Sequence, residues 1–132
     1  DCPDKEKYLL KTAKAVYFEN QYKSAASYAR KALAINPNSG DAYLTIGMAI
    51  ASSAPSCNAD DIQKSGIYWL ATDYFYKAKS VDPSVAEQAN KYIGTYKKYF
   101  ASKEAVFFAN LKEGESFTVE CWGENTKVKI NE

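Results

Sequence analysis

The sequence contains one segment twice, and this repetition constrains the fold more than any other feature. Residues 31–37 (KALAINP) align with residues 77–83 (KAKSVDP), and both copies carry the spacing Ala-x6-Ala-x4-Pro. Upstream, residues 9–16 align with residues 43–50 at an offset of 34 residues. A small residue at one point on each helix lets two helix axes approach closely, and proline ends a helix. The repetition therefore predicts helix pairs that stack on one another.

The pattern resembles the tetratricopeptide repeat family, in which residues recur in the order W-x2-L-G-x2-Y, A-x3-F and P. The second copy matches it at Tyr43, Ile46, Gly47, Ile50, Ala71, Phe75, Ala78 and Pro83. The first copy keeps the small residues and Pro37 but lacks the large aromatic residues. The resemblance implies a mainly α fold of tetratricopeptide-like antiparallel helix pairs, with about two and a half repeats.

Hydrophobic periodicity and capping residues predict where the elements begin and end. Helices are predicted at residues 4–19, 21–36, 39–53, 61–81 and 83–99, with a short helix at 104–109 that Ser102 caps. Alternating residues from Ser116 to Ile130, with a turn at 123–125, predict a β-hairpin. A lone hairpin is marginal in water, so we expect it to dock on the last helices and cap their stack.

The 132 residues have the length of a single domain, 1–132. Its predicted parts are a first repeat (4–39), a second repeat (40–85) with an insertion (51–61), a half repeat with the short helix (83–110) and the hairpin cap (115–131). Insertions of this kind often carry function. This one can also be explained as the end of one helix and the cap of the next.

The chain has no histidine, which excludes the commonest hydrolytic sites, because Ser-His-Asp triads, Cys-His dyads and His-ligated zinc all need an imidazole. We expect no enzyme, no metal and no cofactor. A carboxylate site using Asp60, Asp61 and Asp73 is the remaining enzymatic alternative. A net charge of +1 and a single arginine argue against nucleic acid, and no apolar run is long enough for a membrane span.

The cysteines Cys2, Cys57 and Cys121 are too widely spaced for a zinc knuckle or a redox C-x-x-C motif. Cys57 lies in the insertion and Cys121 in the hairpin, so a disulfide between them would attach the hairpin to the repeats. A bridge predicts an exported protein, and Cys2 would then be the odd cysteine. The alternative is a set of reduced, partly buried thiols in a cytosolic protein.

Four segments together resemble exported tetratricopeptide proteins of the cell envelope of Bacteroidetes-type bacteria: residues 56–57, 67–69, 78–85 and 113–122. The resemblance extends from about residue 30 to about residue 130. It implies a location in the periplasm or cell envelope, with the cytoplasm as the alternative, and it implies no catalytic residue.

In tetratricopeptide domains the first helix of each repeat lines a concave groove. The resemblance implies that the groove residues are Lys7, Leu10, Lys14, Tyr17, Asp41, Leu44, Thr45, Met48, Asn90, Lys91 and Lys97. This amphipathic mixture suits a peptide or protein partner. The subfamily that clamps chaperone carboxylates needs Lys and Asn where Leu10, Lys14 and Thr45 stand, so we do not expect such a clamp.

The leading hypothesis is a non-enzymatic scaffold module that holds a peptide or protein and can also form a homo-oligomer through an exposed repeat face. The alternative is a structural component of the cell envelope that contacts glycan or associates with itself. The aromatic residues at 67–76 fit either a sugar or peptide platform or a central helix that is packed on several sides.

Overall fold

The computed structural model describes residues 4–131 and is mainly helical, so the predicted fold class is confirmed. Cys2 lies outside the described residues. Within 4–131 the helices are α1 (Lys5–Phe18), α2 (Tyr22–Ile35), α3 (Gly40–Ser52), α4 (Asp61–Val81), α5 (Ala86–Lys97) and α6 (Lys103–Phe108), and the strands are β1 (Ser116–Val119) and β2 (Glu124–Lys127). From α1 to α5, each helix packs against the next along the chain.

Side-chain caps explain where the later helices begin. Ser39, Asp60 and Ser102 each accept a hydrogen bond from a backbone N–H in the first turn of α3, α4 and α6 respectively. Asp82 caps a 3-10 turn, Pro83–Val85, that precedes α5. The predicted start of the fifth helix at residue 83 is therefore too early, because the chain first makes this tighter turn before α5 begins.

Small residues lie where the helices approach most closely. Ala25, Ala71 and Ala78 are fully buried between helices. At Gly47 in α3, an added Cβ would lie 2.6 Å from the ring of Phe75 in α4, so this contact requires glycine. These residues belong to the repeat pattern, which here records the closest contacts between helices.

The two strands form one antiparallel hairpin. Residues 120–123 make its turn, so the predicted turn at 123–125 lies too far along the chain. Trp122 lies in the turn and not in a strand as predicted. Its indole N–H donates a hydrogen bond to Ser53 Oγ at 2.9 Å, in the loop that follows α3. The turn residues therefore contact the helical core directly.

The hairpin lies along α4 and also contacts Lys23 and Arg30 of α2. The ring of Phe117 packs against Gly66 of α4, where an added Cβ would lie 2.5 Å from it. Glu124 accepts hydrogen bonds from Tyr74 of α4 at 2.6 Å and from Arg30 of α2 at 2.5 Å. One side chain of the hairpin thus joins the second helices of both pairs.

A second, smaller core lies between α4, the hairpin and the segment that contains α6. Its buried members are Trp69, Phe100, Val106 and Val128. Trp69 also meets Phe117 edge-on, with ring centroids 5.2 Å apart. The described residues of α6 contribute one buried side chain, Val106, and the two residues that follow it remain exposed.

The structure joins Cys57 and Cys121, the pair predicted from the sequence, in a disulfide with Cα atoms 5.8 Å apart. The bridge connects the segment between α3 and α4 to the hairpin turn. Lys23 of α2 donates a hydrogen bond to the Cys121 carbonyl and lies 4.4 Å from the centre of the Trp122 ring. A covalent bond, a hydrogen bond and a cation–π contact therefore hold the same turn.

Candidate binding groove

A groove lies between α1, α3 and α5, the first helices of the successive pairs. A cavity of about 240 Å³ opens in it. Its lining residues come from all three helices: Lys14, Tyr17, Phe18, Asp41, Leu44, Thr45, Met48, Gln88 and Tyr92. Since an apolar cavity of about 150 Å³ can hold a benzene molecule, this cavity has room for an aromatic side chain.

The cavity combines a buried apolar wall with an exposed aromatic ring. Leu44 is 3% exposed and Thr45 is 5% exposed, and Met48 beside them is partly buried. Phe18, at the end of α1, is 79% exposed. Methionine adapts its shape to different contacts. A ligand that covers a phenylalanine this exposed removes apolar surface from water, which favours binding. The lining therefore favours an apolar group in the ligand.

Hydrogen bonds and packing hold the tyrosine rings of the cavity in place. The hydroxyls of Tyr17 and Ser52 lie 2.8 Å apart. Gln88 donates a hydrogen bond to the hydroxyl of Tyr92 at 2.9 Å, and the Tyr92 ring packs with its centroid 5.2 Å from that of Phe75. Both rings are therefore oriented before any ligand arrives.

An ion pair joins α1 to α3 at the cavity, with Lys14 Nζ 2.7 Å from Asp41 Oδ2. Both side chains are about half exposed, and ion pairs in such positions stabilise a fold by at most about 1 kcal/mol. A charged group of a ligand can replace either partner at small cost.

The three groove helices hold six lysines and three acidic residues, a net charge of +3, whereas the whole chain has +1.

The structure brings six of the eleven predicted groove residues to this cavity: Lys14, Tyr17, Asp41, Leu44, Thr45 and Met48. The other five do not line it. Leu10 packs partly buried against the main core, and Lys7 and Lys97 are exposed on their helices. Asn90 and Lys91 line an open depression on α5 that shares Gln88 with the cavity.

Three lining residues were not predicted from the sequence: Phe18, Gln88 and Tyr92. The register of α5 accounts for two of them, since Asn90 lies roughly 200° around a helix from Gln88. The four-residue spacing of Gln88 and Tyr92 was the available signal, because Tyr92 begins the apolar face of that helix. Phe18 directly follows the predicted Tyr17, and no pattern set it apart from an ordinary helix end.

A polar network on the opposite side holds the hairpin and does not line the groove cavity. Burial raises the pKa of Tyr74, its hydrogen bond to Glu124 raises it further, and Arg30 partly opposes the change. Burial disfavours the charge of Arg30, yet Tyr74 and Glu124 raise its pKa overall. These raised pKa values favour a neutral Tyr74 and a protonated Arg30.

The aromatic residues of α4 divide between the core and the surface. Trp69 and Phe75 are fully buried, as a central helix requires. Tyr68 is partly buried and stacks on Tyr99, with ring centroids 5.1 Å apart and an angle of 25° between the planes. Tyr99 is 58% exposed, so this stacked pair forms an aromatic surface outside the cavity.

No family model, curated protein or solved structure matches the chain. The function is therefore inferred from the geometry of the described residues. Within residues 4–131, no three His, Cys, Asp or Glu side chains are grouped as a metal ion would need. No helix in the same range has the length and apolar character to cross a membrane.

Proposed function

We propose that the chain is a non-enzymatic, tetratricopeptide-type scaffold module that holds a segment of a peptide or protein in its groove. The observation that carries this proposal is the cavity between α1, α3 and α5, where the exposed Phe18 adjoins the buried Leu44. Apolar cavities with a few polar groups are the usual form of a ligand site.

The groups that line the cavity indicate which chemical groups the partner should carry. An apolar side chain of the partner would occupy the space beside Leu44 and Met48 and cover Phe18. The carbonyl oxygen of the Gln88 side chain and the hydroxyl of Tyr92 retain hydrogen-bonding capacity for a peptide backbone. A carboxylate of the partner would compete with Asp41 for Lys14, so we expect acidic segments to be preferred.

The proposal is tested by selecting peptides from a displayed random library on the oxidised protein and measuring their affinity by fluorescence anisotropy. Phe18→Ser should weaken the selected peptides at least about tenfold, because the ring is a central apolar contact. Tyr76→Ser is the matched control, since Tyr76 is 44% exposed on α4 and does not line the cavity. Peptides that bind both variants equally, or a library that yields no binder, would contradict the proposal.

We also propose that the protein works in an oxidising compartment, the periplasm or cell envelope. Disulfides persist in such compartments and are rare in the cytosol, and the Cys57–Cys121 bridge is the supporting observation. Alkylating intact cells before lysis, followed by peptide mapping, should recover the two cysteines as one disulfide-linked pair. Recovery of both as alkylated thiols would contradict this location.

A second candidate function is glycan contact through the stacked Tyr68 and Tyr99, which the exposure of Tyr99 favours. Flat, exposed aromatic surfaces can cover the apolar face of a sugar ring. Titration with cell-envelope glycans should then show binding that Tyr99→Ala abolishes and Phe18→Ser preserves. No binding to any glycan, or equal binding by Tyr99→Ala, would exclude this candidate.

A further inference from the structure

Two neighbouring side chains on α6 are among the three most exposed large apolar side chains of the described residues. Phe107 is 75% exposed and Phe108 is 85% exposed, and their rings meet edge-on with centroids 5.9 Å apart. We call this pair the knob. Val106 holds α6 in the second core, so the knob projects from an anchored helix. Adjacent exposed aromatic rings on a folded helix indicate a contact surface.

The knob and the groove are complementary in apolar character. The knob is aromatic and exposed, and the groove contains a cavity of about 240 Å³ with room for an aromatic ring. Both rings remain exposed within the chain, so the knob does not occupy its own groove.

The segments that carry the knob and the groove also have net charges of opposite sign. Residues 102–115, which carry the knob, contain two lysines and three glutamates, a net charge of −1. The groove helices carry a net charge of +3. Opposite charges favour encounter between the two surfaces and fix their orientation more than they add affinity.

We propose that the groove accepts the Phe107-Phe108 knob of a second copy of this chain. The inference rests on the proposed function of the groove and names its partner. Because the knob and the groove are different surfaces, the contact is head-to-tail, and a bound pair still offers one free knob and one free groove. Copies therefore add in series unless the geometry closes a ring. A contact of one short helix buries little area, so the association is weak and transient.

The test is sedimentation velocity of the oxidised full chain over roughly 10 μM to 1 mM, a range suited to weak association. The average mass of the unaltered chain should rise with concentration. A knob variant, Phe107→Ser with Phe108→Ser, and a groove variant, Phe18→Ser, should each weaken association at least about tenfold. All three rings are highly exposed, so these variants should fold, which circular dichroism checks. Ile35→Ser, at a 46% exposed residue of α2, is the matched control and should associate like the unaltered chain.

Mixing the knob variant with the groove variant gives the sharpest result. One supplies an intact groove and the other an intact knob, so the mixture should form a dimer that grows no further. Met48→Arg, which places a charge in the cavity, should act as a second groove variant. A monomeric unaltered chain over the whole range, or a knob variant that associates as well as the unaltered chain, would overturn the proposal.

Two further outcomes separate this proposal from its alternatives. If the knob variant still binds library-selected peptides through Phe18 while the unaltered chain stays monomeric, the groove binds peptides but its partner is not a second copy. If vesicles of phosphatidylglycerol and phosphatidylethanolamine bind the monomeric unaltered chain and not the knob variant, the knob contacts a membrane, and the second-copy proposal is wrong.

Discussion

Breaking the Cys57–Cys121 bridge should release the hairpin before it unfolds the helices. The two cysteines are 64 residues apart in the sequence, and in the chain-entropy model a loop of this length stabilises a fold by about 4 kcal/mol. Single domains are stable by only about 5 to 15 kcal/mol, so this is a large share of the total. Reduction should therefore lower the free energy of unfolding markedly without abolishing the fold.

The noncovalent contacts of the hairpin determine what remains after reduction. Val119 is fully buried, and Glu124 keeps its hydrogen bonds to Tyr74 and Arg30. Trp122 can still donate to Ser53. We therefore expect a hairpin that stays docked most of the time but opens more often, while the interfaces among α1 to α4 are unchanged.

Urea unfolding and amide hydrogen exchange of the oxidised and reduced protein measure the two effects. On reduction, amide exchange in β1 and β2 should accelerate through local opening of the hairpin. Exchange in the buried turns of α3 should accelerate only as far as the lower free energy of global unfolding requires. The double variant Cys57→Ser with Cys121→Ser should match the reduced protein and should not respond to reductant. Equal acceleration of exchange in strands and helices would refute release of the hairpin before the helices unfold. An unchanged urea midpoint would refute the stabilisation expected from the bridge.

Three further predictions concern the contacts that hold the helices and the hairpin. Ala71→Leu should overpack a fully buried helix contact and cost about 1 to 3 kcal/mol, seen as a lower thermal midpoint; an unchanged midpoint would mean that this contact is not tight. Asp60→Ala should cost about 1 kcal/mol in urea unfolding through loss of the α4 cap, and Asp60→Asn should recover most of it. The raised pKa of Tyr74 means that its stabilising effect is complete below the unfolded pKa near 10 and disappears as the pH rises through the folded value. In urea unfolding at increasing alkaline pH, the free energy of unfolding should therefore fall less for Tyr74→Phe than for the unaltered chain. An equal fall in both would contradict the raised pKa of Tyr74.

Most of the helices could be predicted because single capping residues or prolines mark where they begin and end. Ser102 caps α6 as predicted, and Ser39 and Asp60 cap α3 and α4 at the predicted starts of those helices. The hairpin turn could not be placed correctly, because the alternation of apolar and polar residues continues through Cys121 and Trp122. Tertiary contacts of those two residues, a disulfide and a hydrogen bond, remove them from the strand, and strand periodicity does not encode such contacts.

Six of the residues predicted on α1 and α3 line the cavity, whereas none of those predicted on α5 does. On the first two helices the repeat alignment has no gap near the groove residues. Before α5 the chain makes the 3-10 turn Pro83–Val85, and helix and 3-10 turn advance by different angles per residue. An alignment by sequence spacing therefore gave Asn90 and Lys91 in place of Gln88 and Tyr92.

The position of the hairpin across α2 and α4 affects how the groove can move. When the angle between neighbouring stacked helix pairs changes, the groove lined by their first helices becomes wider or narrower. Here Glu124 links Arg30 of one pair to Tyr74 of the next, and the Cys57–Cys121 bridge fixes the turn beside them. These contacts lie on α2 and α4, which do not line the groove cavity, and they restrain the angle between the two pairs. The groove should therefore keep nearly one width with and without a partner, so that little conformational entropy is lost on binding.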